Sequence, residues 1–109
     1  MDKPLKLGLL GFGTVGTGVY KILQSNRSII SARAGAEFEV AKILVRDLDK
    51  PRGVEVDRSL LTTDPREILD DPEIGIVVEL IGGLEPAYQY IHEALSRGKH
   101  VVTANKAVI

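Results

Sequence analysis

The sequence predicts an α/β fold in three layers, with helices on both faces of a doubly wound parallel sheet of about five strands. Short apolar segments, typical of strands buried on both faces, alternate with segments of helical periodicity along the 109 residues. The connections between them are short, and no repeat, low-complexity tract or linker interrupts them. Because crossovers between parallel strands are right-handed, we expect the strand order 3-2-1-4-5.

The first half of the chain reads as strand, helix and strand. Residues 5–10 form the first predicted strand, and residues 14–24 form the first predicted helix. Four apolar side chains are predicted to form the inner face of this helix: Val15, Val19, Ile22 and Leu23. A weaker continuation is expected to end at Gly35. Residues 38–45 form the second predicted strand, and a polar, turn-rich loop follows at 46–53.

A short third strand is predicted at 59–62, followed by a small helix that ends near Pro72. The start of that helix has the pattern of an N-cap at Asp64, a proline at the first helical position and a capping-box carboxylate at Glu67. An apolar strand at 75–81 comes next.

The last predicted helix is the clearest in the chain. It begins at Pro86 and ends at Gly98, and residues 101–104 form the last strand. Five residues are predicted to lie on the inner face of this helix: Ala87, Tyr90, Ile91, Ala94 and Leu95.

The residues between the first strand and the first helix follow the pattern Gly11-x-Gly13-x-x-Gly16. Gly11 permits a tight turn, Gly13 leaves room for a pyrophosphate against the backbone, and Gly16 lets the helix pack closely on the sheet. The helix N-terminus adds N–H groups and a partial positive charge. The combination of strand, spacing and helix predicts a Rossmann-like dinucleotide site, while plain tight turns are the alternative interpretation.

The end of the fourth strand is expected to face this glycine motif. Ligands of such sheets bind beyond the carboxyl ends of the strands, where the strand order reverses. Ile81, Gly82 and Gly83 lie there and suit the ribose on the nicotinamide side. A tight turn without ligand contact is the alternative interpretation of these two glycines.

The residue that follows the second strand bears on the choice of cofactor. NAD sites usually carry Asp or Glu there, whereas NADP sites tend to carry Arg, which binds a 2′-phosphate. This chain has Arg46, followed by Asp47. Lys50 and Arg52 are also within reach of a 2′-phosphate, although a solvated loop explains them equally well. The balance favours NADP without excluding NAD.

Lys106 follows the last strand at the same ligand-bearing edge. A lysine there can donate to a nicotinamide carboxamide, bind a substrate oxygen or transfer a proton, and a plain surface role is the alternative. Glu79 lies inside an apolar strand, so we expect a hydrogen-bonded structural carboxylate. His92 and His100 have no carboxylate or serine at a useful spacing and are expected to be structural, and the sequence shows no metal-ligand cluster.

Composition limits the function classes. The chain is 44% hydrophobic and 27% charged with a net charge of −1, as expected for one globular domain covering residues 1–109. Lys and Arg are scattered, so neither nucleic acid nor a membrane surface is indicated as a partner. The absence of cysteine excludes disulfides and thiolate chemistry. No apolar run reaches a membrane-span length of about 20 residues, and we expect a cytoplasmic location.

Four segments resemble homoserine dehydrogenase: GLLGFGTVGTG at 8–18, LVRD at 44–47, VVELIGG at 77–83 and GKHVVTANK at 98–106. The last two are the more specific, because generic Rossmann domains do not share them. The resemblance implies the N-terminal NAD(P)-binding domain of an enzyme that interconverts L-homoserine and L-aspartate 4-semialdehyde. That reaction lies on the route to threonine, isoleucine and methionine.

The resemblance also implies roles for single residues. Three are implied to line the phosphates: Phe12, Thr14 and Val15. Arg46 is implied to meet the adenosine ribose or its 2′-phosphate, and Asn105 and Lys106 to lie by the nicotinamide, with Lys106 also near the substrate.

The other catalytic residues of that family, its substrate pocket and its dimerising sheet lie further along. We therefore expect the cofactor half of a homo-oligomeric enzyme, truncated before the catalytic domain and inactive by itself. Two alternatives remain open. One is a free-standing dinucleotide-sensing module. The other is the N-terminal domain of another amino-acid-pathway dehydrogenase, such as one acting on aspartate.

Overall fold

The computed structural model describes residues 5–26, 37–48, 56–81 and 86–103. The strands in this part are β1 (Leu5–Leu10), β2 (Phe38–Leu44), β3 (Leu61–Thr62), β4 (Ile74–Glu79) and β5 (His100–Thr103). The α-helices are α1 (Thr14–Ser25), α2 (Arg66–Leu69) and α3 (Ala87–Ser96), and a 3₁₀ turn at Arg58–Leu60 precedes β3. No helix within these ranges has the length and apolar character needed to cross a membrane.

The five strands form one parallel sheet in the order β3-β2-β1-β4-β5, which confirms the predicted topology. The chain starts in the centre with β1, moves outward through β2 and β3, and returns to the other side of β1 with β4. Leu10, the last residue of β1, is in register with Leu44 of β2 and with Glu79 of β4. The carboxyl ends of the three central strands are therefore level.

The two faces of the sheet carry separate apolar cores. Leu7 and Leu9 of β1 belong to one core together with Tyr20 of α1. Leu10 belongs to the other core, which contains Ile68 of α2 as well as Ala94 of α3. Because successive strand side chains point to opposite faces, β1 is covered by helices on both sides. This is the layered, doubly wound arrangement that the sequence predicts.

Ile22 and Leu95 were predicted to lie on inner helix faces, but both are exposed to solvent, so those two predictions were wrong. Ile22 is 58% exposed and Leu95 is 57% exposed. In α1 the face towards the sheet contains Tyr20, which is buried, and Leu23, which packs against the same core. Ile22 lies about 200° around the helix from Tyr20, since each residue turns by about 100°. Leu95 directly follows the fully buried Ala94 and so points away from the core.

The predicted third strand is shorter than expected. Ser59 and Leu60 belong to the 3₁₀ turn, and β3 itself contains two residues that pair with β2. The turn forms because the carboxylate of Asp57 accepts hydrogen bonds from Ser59 N at 2.9 Å and from Ser59 Oγ at 2.7 Å. The predicted continuation of α1 to Gly35 lies outside the described residues.

The start of α2 differs from the predicted capping box. The N-cap is Pro65 and the helix begins at Arg66, so the predicted cap at Asp64 and first helical position at Pro65 are each one residue early. Asp64 Oδ1 still accepts from the N–H of Arg66 at 2.9 Å. Glu67 does not reach back to the N–H of Asp64: its carboxylate accepts from the hydroxyl of Thr62 at 2.9 Å. The same hydroxyl accepts from the N–H of Asp64 at 3.0 Å. A threonine therefore links the two groups that a capping box joins directly.

Lys99 is a buried cation that no sequence pattern predicted. Its Nζ donates to the carbonyl of Asp71 at 2.6 Å and also to the carbonyl of Ile74. Burial lowers the pKa of the Lys99 ammonium group. Lys99 directly precedes β5, and Ile74 begins β4. The contact therefore joins these two strands at the amino edge of the sheet.

Gly8 in β1 sets how closely α2 approaches the sheet. A Cβ at Gly8 would lie 2.5 Å from Cγ2 of the fully buried Ile68. We expect Gly8→Ala to lower the free energy of unfolding by about 1–3 kcal/mol, because the stiff Ile68 side chain has to move. Denaturant titration followed by circular dichroism measures this change.

The matched control is Gly18→Ala in α1, where an added Cβ meets no atom within 4 Å. The same substitution should there raise the free energy of unfolding by about 0.5–1 kcal/mol, because alanine is the better helix former. Effects of equal sign at the two positions would contradict this account.

Candidate functional site

The carboxyl ends of β2, β1 and β4 are joined at one edge of the sheet. The N–H of Gly11, the first residue beyond β1, donates to the carbonyl of Leu44 at 3.1 Å. On the other side, the N–H of Leu80 donates to the carbonyl of Leu10 at 2.9 Å. These bonds hold the segments that leave the three strands side by side. The strand order reverses between β1 and β4, so this edge is where ligands of such folds bind.

The three glycines of the motif have three different surroundings. Gly11 has a φ of +113°, and a Cβ there would lie 3.2 Å from the backbone carbon of Leu80. A Cβ at Gly16 would lie 2.6 Å from the carbonyl oxygen of Gly11, so α1 packs directly on the turn. A Cβ at Gly13 would meet no atom within 4 Å. The loop therefore combines a tight turn, a close helix contact and one open stretch of backbone.

The open stretch leads into the N-terminus of α1. Gly13 is the N-cap, it has no side chain for capping, and the first turn contains no acidic residue. The N–H of Thr17 bonds to the carbonyl of Gly13 at 2.9 Å, whereas N–H groups earlier in a helix have no partner within it. Together with the helix dipole, such groups favour an anion at this position.

Phe12 lies in the motif, but its side chain belongs to the core. It is buried, and its ring meets that of Tyr20 edge-on, with the ring centroids 5.7 Å apart. Any contact between Phe12 and a phosphate is therefore made by its backbone. Thr14 and Val15 begin α1, and their side chains lie outside the described part of the structure.

Arg46 lies at the same edge, beyond β2. The N–H of the preceding residue, Val45, donates to the carbonyl of Thr62 at 2.8 Å and so continues the pairing with β3. Arg46 is the first residue past this bond, and its side chain is exposed. The structure thus brings Arg46 to the glycine loop's edge of the sheet, on the β2 side. Lys50 and Arg52 are not among the described residues.

On the other side of β1, a buried carboxylate joins β4 to β5. Glu79 is fully buried, its Oε2 accepts from the N–H of Ile81 at 2.7 Å, and its Oε1 accepts from the hydroxyl of Thr103. This confirms the expected hydrogen-bonded carboxylate. Four other predicted site residues follow in segments outside the described ranges: Gly82, Gly83, Asn105 and Lys106.

Sequence reasoning missed two residues at this edge, Leu80 and Thr103. Leu80 contributes its backbone, which packs against Gly11. A backbone contact of this kind cannot be predicted from the pattern of side chains. Thr103 had a signal, because it ends an apolar strand just as Glu79 does, and the two are in register.

The two histidines lie away from this edge. His92 is exposed on α3, and His100 is exposed at the start of β5, at the opposite end of the sheet. Within the described ranges, no three His, Asp or Glu side chains are grouped as metal ligands.

Comparison with known proteins agrees with this geometry. The family model described as "Homoserine dehydrogenase, NAD binding domain" matches residues 11–109. The homoserine dehydrogenase of Synechocystis sp. is 51% identical over 108 residues, which is 96% of this chain and 24% of the relative. That of Bacillus subtilis is 45% identical over 104 residues, covering 95% of this chain and 24% of the relative.

Two crystal structures of homoserine dehydrogenases share the fold. The S. aureus enzyme at pH 7.5 superposes with a TM-score of 0.89 at 44% identity, covering 96% of this chain and 27% of that one. The Thiobacillus denitrificans enzyme gives 0.85 at 50% identity, covering 97% and 25%. The chain thus spans about a quarter of the length of the relatives that it matches. With the family model matching all but the first ten residues, the chain belongs to the homoserine dehydrogenase NAD-binding domain family.

Proposed function

We propose that a protein carrying this chain interconverts L-homoserine and L-aspartate 4-semialdehyde, with the chain as its dinucleotide-binding domain. One observation carries the binding role: the open backbone at Gly13 meets the start of α1 where the strand order reverses. Tight turn, open backbone and helix N-terminus are the features that a pyrophosphate requires. The reaction itself is inferred from family membership. A role in threonine, isoleucine and methionine synthesis and a cytoplasmic location belong to the same proposal.

The order of the strands supports a proposed placement of the two halves of the dinucleotide. With the pyrophosphate at residues 11–16 beyond β1, the adenosine half extends towards β2 and the nicotinamide half towards β4 and β5. Arg46 then meets the adenosine ribose or its 2′-phosphate. The nicotinamide half is placed against Ile81, Gly82, Gly83, Asn105 and Lys106. Since the N–H of Ile81 is bonded to Glu79, that group is not offered to the cofactor.

When bound, the dinucleotide would supply hydride transfer at C4 of its nicotinamide ring. The residues of this chain bind it and orient it, and Lys106 is proposed to contact the carboxamide or the substrate. The other groups that bind substrate and move protons are proposed to lie outside these 109 residues, in a homo-oligomeric enzyme.

The preference for NADP is a further part of the proposal. Arg46 occupies the first position beyond β2, where an NAD site usually has an acid. A guanidinium group there can bind a 2′-phosphate through two parallel hydrogen bonds. Its exposure leaves the side chain accessible to a ligand at the edge of the sheet.

The first prediction on this function separates binding from stability. Gly13→Ala should weaken dinucleotide binding by about tenfold or more, because the added methyl occupies the space of the pyrophosphate. It should lower the free energy of unfolding by about 1 kcal/mol, because alanine is a poorer N-cap than glycine, while the added Cβ itself meets no atom within 4 Å. Calorimetric titration and urea denaturation measure the two quantities.

The matched variant is Gly16→Ala, whose added Cβ falls 2.6 Å from a backbone oxygen. This variant should lose about 1–3 kcal/mol of stability. Wild-type dinucleotide affinity in Gly13→Ala would show that the pyrophosphate binds elsewhere.

Arg46→Ala tests the choice of cofactor. We expect its affinity for NADP to fall by about tenfold to a hundredfold, the usual range for a charge-assisted hydrogen bond. Its affinity for NAD should stay within about twofold. Lys21→Ala, an exposed cation on α1, is the control and should change neither. Equal or tighter binding of NAD by the wild type, unaffected by Arg46→Ala, would contradict the preference.

The reaction is tested with the longest natural protein that contains the chain. We expect it to reduce NADP in the presence of L-homoserine, whereas the 109 residues alone should bind dinucleotide without turnover. Absorbance of the reduced nicotinamide follows the reaction. Turnover with L-aspartate in place of homoserine would favour the other dehydrogenase, and binding without turnover in the longest protein would favour a sensing module. Turnover of homoserine by the 109 residues alone would overturn the division of roles.

A further inference from the structure

We propose that Glu79 and Thr103 form a positioning pair that fixes the nicotinamide half of the cofactor without touching it. The proposal rests on the proposed function above, because it assumes that this half lies beyond β4 and β5. It assigns a role to two residues that the resemblance leaves without one.

The pair spans two strands at the edge where the ligand binds. Glu79 is the last residue of β4 and is in register with Leu10 of β1 on one side and with Thr103 of β5 on the other. Its Oε1 accepts from the hydroxyl of Thr103, and its Oε2 accepts from the N–H of Ile81 at 2.7 Å. One side chain therefore holds both the end of β5 and the chain that leaves β4.

Stability alone is a weak reason for a carboxylate at this position. Burying a charged group has a large desolvation cost, and an apolar side chain of similar volume often stabilises a fold as well or better. The rest of β4 is apolar or glycine. Of the polar side chains that are buried in the described residues, Thr62 of β3 bonds to the start of α2, and Lys99 lies at the amino edge. Glu79 is the buried polar group placed between β4 and β5 at the ligand edge.

The two contacts act on the segments assigned to nicotinamide. Gly82 directly follows Ile81, and Asn105 and Lys106 lie two and three residues after Thr103. A single carboxylate, that of Glu79, bonds both the N–H of Ile81 and the hydroxyl of Thr103. These two bonds fix the spacing between the segments that follow β4 and β5. Hydride transfer is sensitive to displacements of about 1 Å, so such a constraint supports the reaction as well as the binding.

The test compares ligands with and without the nicotinamide ring. The probes are the dinucleotide that the wild type binds more tightly and its counterpart lacking nicotinamide, ADP-ribose or 2′-phospho-ADP-ribose. Thr103→Val keeps the shape and removes the hydroxyl. It should weaken binding of the dinucleotide by roughly fivefold to tenfold, because binding must then order strand ends that the lost hydrogen bond held in place, and change binding of the truncated ligand by less than about twofold.

Two conservative variants keep the proposal testable if Thr103→Val folds poorly. Thr103→Ser retains the hydroxyl and should bind both ligands within about twofold of the wild type. Glu79→Gln can still bond both groups, but without charge assistance the bonds are weaker, so its loss of dinucleotide affinity should lie between those of Ser and Val. The fluorescence of the reduced nicotinamide ring at saturation should decrease from Thr103→Ser through Glu79→Gln to Thr103→Val. The midpoint of thermal unfolding is not expected to follow this order.

The outcomes separate this proposal from the proposed function. Equal losses for both ligands in Thr103→Val or Glu79→Gln, or no loss for either, would overturn the positioning role and leave a structural one. Failure of the wild type to bind either ligand would instead overturn dinucleotide binding by this chain.

Discussion

The close contact between α1 and the turn after β1 is the constraint on which the site depends. The position of a Cβ on Gly16 is 2.6 Å from the carbonyl oxygen of Gly11, so the helix has no room for any side chain there. This contact aims the helix N-terminus at the edge of the sheet and leaves the backbone at Gly13 open. The turn is held in its own place by bonds from Gly11 to β2 and from Leu80 to β1. Packing and the proposed binding of the pyrophosphate thus depend on the same loop backbone.

A second small residue serves the opposite face. At Gly8, α2 comes close enough that Ile68 occupies the space of a side chain on β1. Since β1 is the central strand, glycine on each side of its carboxyl half lets both helical layers approach it. As a result, an added Cβ clashes at Gly8 and at Gly16, where the helices meet the central strand and its turn, but not at Gly18 elsewhere on α1.

The sequence predicted the topology because it depends on coarse patterns. Apolar strands alternating with helices, right-handed crossovers and the glycine motif were sufficient for the sheet order and for placing Gly11, Gly13, Gly16 and Arg46 at one edge. Local detail was harder. Ile22 is apolar but exposed, because the edge-on contact with Phe12 gives Tyr20 the inner position. Helical periodicity cannot foresee a contact whose partner lies outside the helix.

Buried polar groups were the least predictable part. The Thr62 hydroxyl between Asp64 and Glu67 joins β3 to α2, and Lys99 bonds carbonyls 25 and 28 residues away. Such contacts depend on tertiary geometry, and neither threonine nor lysine is a residue type whose burial can be predicted from the sequence. Glu79 was the exception, because a carboxylate in an apolar strand is visible in the sequence itself.

The two sides of β1 have different freedom to change. In the proposed arrangement, the adenosine half is selected by Arg46, an exposed residue beyond the last bond between β2 and β3. Replacing an exposed side chain leaves the core intact, so the choice between NAD and NADP can change independently of the fold. The nicotinamide side depends on Glu79, which is fully buried and bonded to the ends of two segments. A change there removes the hydrogen bonds that Glu79 accepts from Ile81 and Thr103. In the proposed arrangement, the choice of cofactor therefore depends on an exposed side chain, whereas the orientation of the nicotinamide ring depends on a buried one.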